Sequence, residues 1–184
     1  MKRIACALFA LCLAACGQAV DNNPPEMSTS QQVKPAEPEF AFDAQQFADA
    51  FNAAAKTYGQ SFRIAKVEIT HGAVHDYFRQ VFFTGLSLTA GVSKETGRVV
   101  SITALAEENG EPMDKQEIII LSEIVATATS PALTKDKAAK LVMEMMQESD
   151  SRNAAPFPQR FIDDVRYVLR NDSGIGYWWM ASPA

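Results

Sequence analysis

Positions 4–15 (IACALFALCLAA) are all apolar, and from residue 17 to about residue 42 that pattern disappears. In the second stretch Pro24, Pro25, Pro35 and Pro38 interrupt a run rich in Gln, Ser and Asn, with no sustained apolar period. Such a segment buries too little apolar surface to offset its ordering entropy, so it is expected to be a flexible spacer. A helical period starts at Asp43. Its carboxylate suits an N-cap, with Gln46 three residues on as the reciprocal partner of a capping box. Phe42 and Phe47 have the spacing of a hydrophobic staple, and Phe47, Phe51, Ala54 or Ala55, and Tyr58 recur on one face before Gly59 stops the helix.

Residues 62–70 (FRIAKVEIT) then alternate, with Ala65, Val67 and Ile69 apolar against Lys66, Glu68 and Thr70, which predicts a half-buried strand. Residues 78–91 are rich in aromatic and β-branched side chains, with Leu86, Leu88 and Ala90 sharing a face. A glycine-containing turn at 93–97 leads to residues 98–106, where Val100, Ile102 and Ala104 alternate with Ser101 and Thr103, so the two segments read as a hairpin. Residues 107–112 (EENGEP) form a loop. Two helices follow. Over about 114–128, Ile118, Leu121, Ile124, Val125 and Ala128 make one stripe, ended by Ser130-Pro131. Thr134 caps the next, whose Ala138, Leu141, Val142, Met145 and Met146 again share a face, and Met143, Met145 and Met146 read as helix core rather than a soft-metal site. Residues 149–159, with Pro156 and Pro158, read as a loop, and segments 165–170 and 177–181 as a final hairpin. The order α-β-β-β-α-α-β-β predicts one α+β domain over 43–184, with about five antiparallel strands and three helices packed on one face.

Composition narrows the class. With 184 residues, 47% hydrophobic and 21% charged, the chain suits one globular domain rather than a fibrous or disordered polymer. A net charge of −5 argues against a nucleic-acid partner, which needs a basic face. All three cysteines fall early, at Cys6, Cys12 and Cys16. The domain therefore has no disulfide, no cysteine-ligated metal and no thiol nucleophile, and its stability must come from an apolar core.

Lys2 and Arg3 precede the apolar run, which is shorter than the roughly 20 residues of a membrane-spanning helix and has the build of a secretory signal peptide. It ends in Leu13-Ala14-Ala15-Cys16-Gly17, which resembles the lipobox of bacterial lipoproteins. The resemblance implies cleavage after Ala15 and a thioether-linked diacylglycerol on Cys16, with acylation of the new amino terminus in many Gram-negative bacteria. Residues 1–15 are then a signal peptide and 16–42 a lipidated cysteine and tether. Gly17, rather than Asp, after the cysteine implies the outer membrane, without saying which face. Each buried CH₂ contributes about 0.8 kcal/mol, so two or three acyl chains hold the protein in the bilayer. The stretch 95–100 (ETGRVV) is similar to the hairpin of PepSY-like modules, a pattern too common to assign the domain to a family.

Chemistry is sparse. His71, His75 and Asp76 are weak candidates for a metal site or for a hydrolytic base; Gly72 between the histidines argues against a helical His-x-x-x-His pair, and the shell is incomplete. No nucleophile elbow, Walker loop or dinucleotide fingerprint occurs, so no cofactor is implied. Glu107-Glu108 and Asp163-Asp164 read as solvated carboxylates. The terminal run Tyr177-Trp178-Trp179-Met180 alternates on a strand, placing one pair in the core and the other on the outer sheet face, where aromatic side chains serve binding. The sequence thus points to an outer-membrane lipoprotein carrying a non-enzymatic binding or interaction domain, with Tyr177, Trp178 and Trp179 as the binding surface. Its partner would be an envelope protein, peptidoglycan or a small ligand. The alternatives are a metal-dependent or hydrolytic envelope enzyme using His71, His75 and Asp76, and a phage- or plasmid-encoded exclusion lipoprotein.

Overall fold

The computed structural model describes residues 36–107, 115–151, 156–172 and 174–184, so the signal peptide, the lipobox with Cys16 and Glu108 lie outside the described residues. Within them the capping box is present. Asp43 Oδ1 accepts from the Gln46 amide at 2.8 Å, and the Asp43 amide donates to Gln46 Oε1 at 2.9 Å, starting α1 (Ala44–Thr57). Phe42 and Phe47 stack across the cap with ring centroids 5.9 Å apart, and Gly59 closes the turn at φ 69°.

Folding starts before that cap. Phe40 is buried, its amide donates to the Val99 carbonyl at 2.8 Å, and the Val99 amide donates to the Phe42 carbonyl at 3.1 Å. The compact unit accordingly runs over Ala36–Ala184, and the last residues of the predicted spacer belong to it. Phe40 in the core and Phe42 packed against it anchor this segment, which the neighbouring Pro35 and Pro38 obscured.

Residues 61–69 are not a strand; one bridge, Thr70 to Tyr77, is all the pairing they gain. Their backbone finds a different partner. The Asn52 side chain of α1 donates to the Ile64 carbonyl and accepts from the Ile64 amide, both at 2.9 Å, doing for one residue what a neighbouring strand would do. The facing also differs in part, although Val67 packs against the core as expected. Ile64 is buried and Phe62 packs on Phe82 at 5.1 Å, whereas Ala65 and Ile69 are exposed.

The predicted strand over 78–91 is two strands, β1 (Asp76–Phe83) and β2 (Leu86–Val92). Gly85 at φ 85° lets the chain reverse within two residues, and a bulge near Val81 adjusts the register. Next come β3 (Val99–Glu107), α2 (Lys115–Thr129) and α3 (Lys135–Ser151), as the apolar periods predict. A short strand that sequence reasoning did not assign, β4 (Gln159–Ile162), begins at the end of the expected 149–159 loop and precedes β5 (Val165–Asp172) and β6 (Gly176–Pro183). Pro158 made that segment read as a break. At a sheet edge, though, its missing amide costs no ladder bond, and its carbonyl still accepts from the Leu169 amide at 3.0 Å.

The result is α+β: three helices and one six-stranded antiparallel sheet, ordered β1-β2-β3-β6-β5-β4, against the five strands expected. Two three-stranded meanders join where β3 pairs with β6. One face of this sheet carries Phe78, Leu88, Ala104, Trp179, Leu169 and Tyr167, all no more than 1% exposed. No helix among the described residues is long and apolar enough to cross a membrane.

Candidate functional site

Strand β6 sorts the terminal aromatics by alternation. Trp179 is fully buried with its ring 5.5 Å from that of Tyr167, and Tyr177 is also on the buried face. The Tyr177 hydroxyl donates to Asp150 Oδ1 of α3 at 2.7 Å, and Lys115 Nζ of α2 lies 5.2 Å from its ring. Burial pushes the Tyr177 phenol up, against the hydrogen bond to Lys115 that lowers it. Both side chains therefore hold core and helices together. Of the three proposed binding aromatics, Trp178 is the one on the opposite face, half-buried, with an indole N–H that has no hydrogen-bond acceptor among the described residues.

The histidines go separate ways. His71 Nδ1 lies 3.0 Å from Asp76 Oδ2, while His75 Nε2 reaches Glu37 Oε2 at 2.6 Å. Lys94 Nζ stands 3.7 Å from the second Asp76 oxygen and donates to the Gly72 carbonyl. Partial burial raises the Asp76 carboxyl, but the His71 hydrogen bond and the charges of His71 and Lys94 outweigh it and hold the group below its ordinary value. This is a surface ion-pair cluster that fastens the turn before β1 and the entry segment. Among the described residues, no three His, Cys, Asp or Glu side chains gather as a metal site. Glu107 is 3.6 Å from Arg79 in a surface ion pair, and Asp163 accepts from the Ser130 hydroxyl at 2.6 Å. Met145 and Met146 are buried in the core as expected, but Met143, expected there with them, falls off the apolar stripe of α3 and is exposed.

The outer face of the sheet is organised in rows set by register. Trp178 lies between Leu105 and Arg170, and Met180 between Thr103 and Val168. Ser182 lies opposite Arg166, which in turn faces Phe161 of β4. Most of these side chains are half-buried or exposed, Phe161 at 59%. A groove of about 490 Å³ crosses this face, floored by Thr103, Met180 and Val168 and bordered by Ser182, Arg166 and Phe157. Phe157 is braced by the Arg170 guanidinium, 5.0 Å from its ring centroid. Sequence reasoning missed Arg166, Phe157 and Phe161. The alternation Phe157, Gln159, Phe161 was there as a signal, but Pro156 and Pro158 concealed it.

A second groove of about 480 Å³ lies where the entry segment meets the α2–α3 turn, the β4–β5 turn and the last two residues. Phe42, Pro131, Val165 and Pro183 supply its apolar wall, with Glu39, Asp163 and Asp164 at its rim. Glu39 accepts from the Thr96 hydroxyl at 2.8 Å, and its carboxyl is lowered by hydrogen bonds from Ser93 and Thr96. No family model, curated protein or solved structure matches the chain.

Proposed function

We propose that this protein is a bacterial lipoprotein, anchored in the outer membrane through acylated Cys16, whose α+β domain is a non-enzymatic binding module. On this reading all three helices gather on the fully buried face of the sheet, and the opposite face does the binding. The observation that carries it is the contrast between the two faces. One contact from each helix supports the first part: Phe47 of α1 lies 6.3 Å from Phe78, Thr129 of α2 hydrogen-bonds the Tyr167 hydroxyl at 2.9 Å, and Asp150 of α3 accepts from Tyr177. The other face keeps Tyr77 and Val81 of edge strand β1 at 38% and 53% exposure and Phe161 of the opposite edge strand β4 at 59%, with half-buried Trp178 and Met180 of β6 between the edges. Exposed aromatic and aliphatic side chains gathered on one face are the usual mark of a binding surface. The histidines, each held by its own carboxylate on the surface, favour no hydrolytic or metal-dependent alternative.

Two experiments test the reading. Crosslinking the membrane-anchored protein in intact envelopes should give a reproducible adduct that Trp178→Ala abolishes while His71→Ala and His75→Ala retain it; the reverse pattern would overturn the binding module in favour of an enzyme. Cys16→Ala should move the protein out of the membrane fraction, and unchanged fractionation and mature mass would rule out lipidation.

A further inference from the structure

We propose that the outer-face groove takes a small amphiphilic monoanion, a carboxylate on a medium-length apolar chain, with Arg166 as the anion-binding residue. This deepens the sheet-face reading and rests on it. Three arginines stand on this face. Arg79 lies 3.6 Å from Glu107, and Arg170 pairs with Asp172 at 3.2 Å and braces Phe157. Arg166 has no hydrogen-bond or ion-pair partner among the described residues, nor do the hydroxyls of Ser101 and Ser182. Register brings these groups together. Ser182 pairs directly with Arg166, and Ser101, preceding Ile102 whose partner is Ala181, comes beside Ser182.

A guanidinium with the Ser182 hydroxyl one strand away and the Ser101 hydroxyl one strand beyond that, both on the same side, offers parallel N–H donors to one carboxylate and a neighbouring hydroxyl donor to its remaining lone pairs. Among the described residues that line the groove, Arg166 is the one unpaired cation, so the proposed fit is to a single charge rather than to a phosphomonoester dianion. The apolar part of the site begins one row further along the strands, about 7 Å away at roughly 3.4 Å per residue. There Val168 and Met180 pair across the β5–β6 ladder, and Phe157 closes the side. At about 490 Å³ the groove is within the size range of small-ligand sites. The chain as a whole carries a net charge of −5, which repels anions at long range, so attraction must be local to Arg166.

The test is a titration of the mature lipidated protein in non-ionic detergent with decanoate, following the methyl resonances of Met180, Val168 and Thr103. Partition into micelles is common to all variants and cancels between them. Decanoate should shift these signals saturably. Arg166→Gln, an exposed change that leaves the fold intact, should weaken binding about tenfold or more, the loss expected for a charge-assisted hydrogen-bond pair. Neutral decanamide and tailless acetate should each bind as weakly. Equal binding of decanamide, unchanged decanoate affinity in Arg166→Gln, or a tenfold preference for decyl phosphate would overturn the proposal. So would shifts of the same methyls by an acidic peptide but not by decanoate. If decanoate fails while Trp178→Ala still abolishes the envelope adduct, the anion site falls and the sheet-face reading stands; if Trp178→Ala also leaves the adduct intact, both fall.

Discussion

Glu123 sits on α2 largely buried, and its carboxyl is raised by that burial, with only the charge of Lys135 pulling it back. The sign follows from linkage. A carboxyl whose folded value lies above its unfolded value binds its proton more tightly when folded, so the domain is favoured at low pH and loses that contribution as pH rises through the folded value. Glu123→Gln should therefore raise the melting temperature at pH 7 and change little near pH 3, a comparison that calorimetry at the two pH values makes directly. Tyr167 acts at the other end of the scale. Burial, with a smaller push from Asp163 and against the hydrogen bond from Thr129, takes its phenol up to about 12. Unfolded tyrosine ionises near 10, so stability is undiminished below about pH 10 and falls between there and about pH 12. Tyrosinate absorbance recorded with the unfolding curve should show Tyr167 titrating last. Which tryptophan is core and which is surface is also decided one residue at a time: Trp179→Ala should cost about 3–5 kcal/mol in urea unfolding, whereas Trp178→Ala should leave the domain folded.

At the scale of elements, segments with a long period were legible and those with a short one were not. α1, α2 and α3 all lie where the apolar stripes predict, because a dozen or more residues repeat one pattern and the cap at Asp43 is chemically explicit. Residues 62–70 show the opposite. Their alternation is real, but the side-chain amide of Asn52 holds the Ile64 backbone, and pairing with edge strand β1 is confined to the bridge from Thr70 to Tyr77. Asn52→Ala would strip both backbone bonds from Ile64 and cost about 1–3 kcal/mol. Amide exchange at Ile64 should quicken and proteolysis should enter between residues 60 and 69, while exchange in β2, β3 and β6 stays slow. Slow exchange throughout 60–69 would mean that the segment is held by Phe62 and Ile64 packing alone.

For the whole molecule, the boundary of the folded unit matters most. Phe40 lies in the core and stacks on Phe42 with centroids 4.7 Å apart, so the unit depends on residues ahead of its first helix. Phe40→Ala in the full chain should cost about 3–5 kcal/mol, or about 10 °C in melting temperature for a domain of this size. A spacer residue would give no change. Through Glu37 on His75 and Glu39 on Thr96 the same entry segment is also tied to the turns before β1 and between β2 and β3.

Local pattern alone determined the helices, the final hairpin, the mixed α+β class and the absence of cysteine from the folded unit, because each rests on neighbours a few residues apart. The tertiary structure decided what distance in sequence hides. It split the long aromatic strand at Gly85, recruited β4 despite the prolines just ahead of it, and replaced a strand partner by the side chain of Asn52. The candidate site is of the second kind. Arg166, Ser182, Met180 and Phe157 come from three separate segments, and only antiparallel register sets them on one face. Alternation says that Trp178 and Trp179 point apart; which of them the core takes depends on where the helices pack.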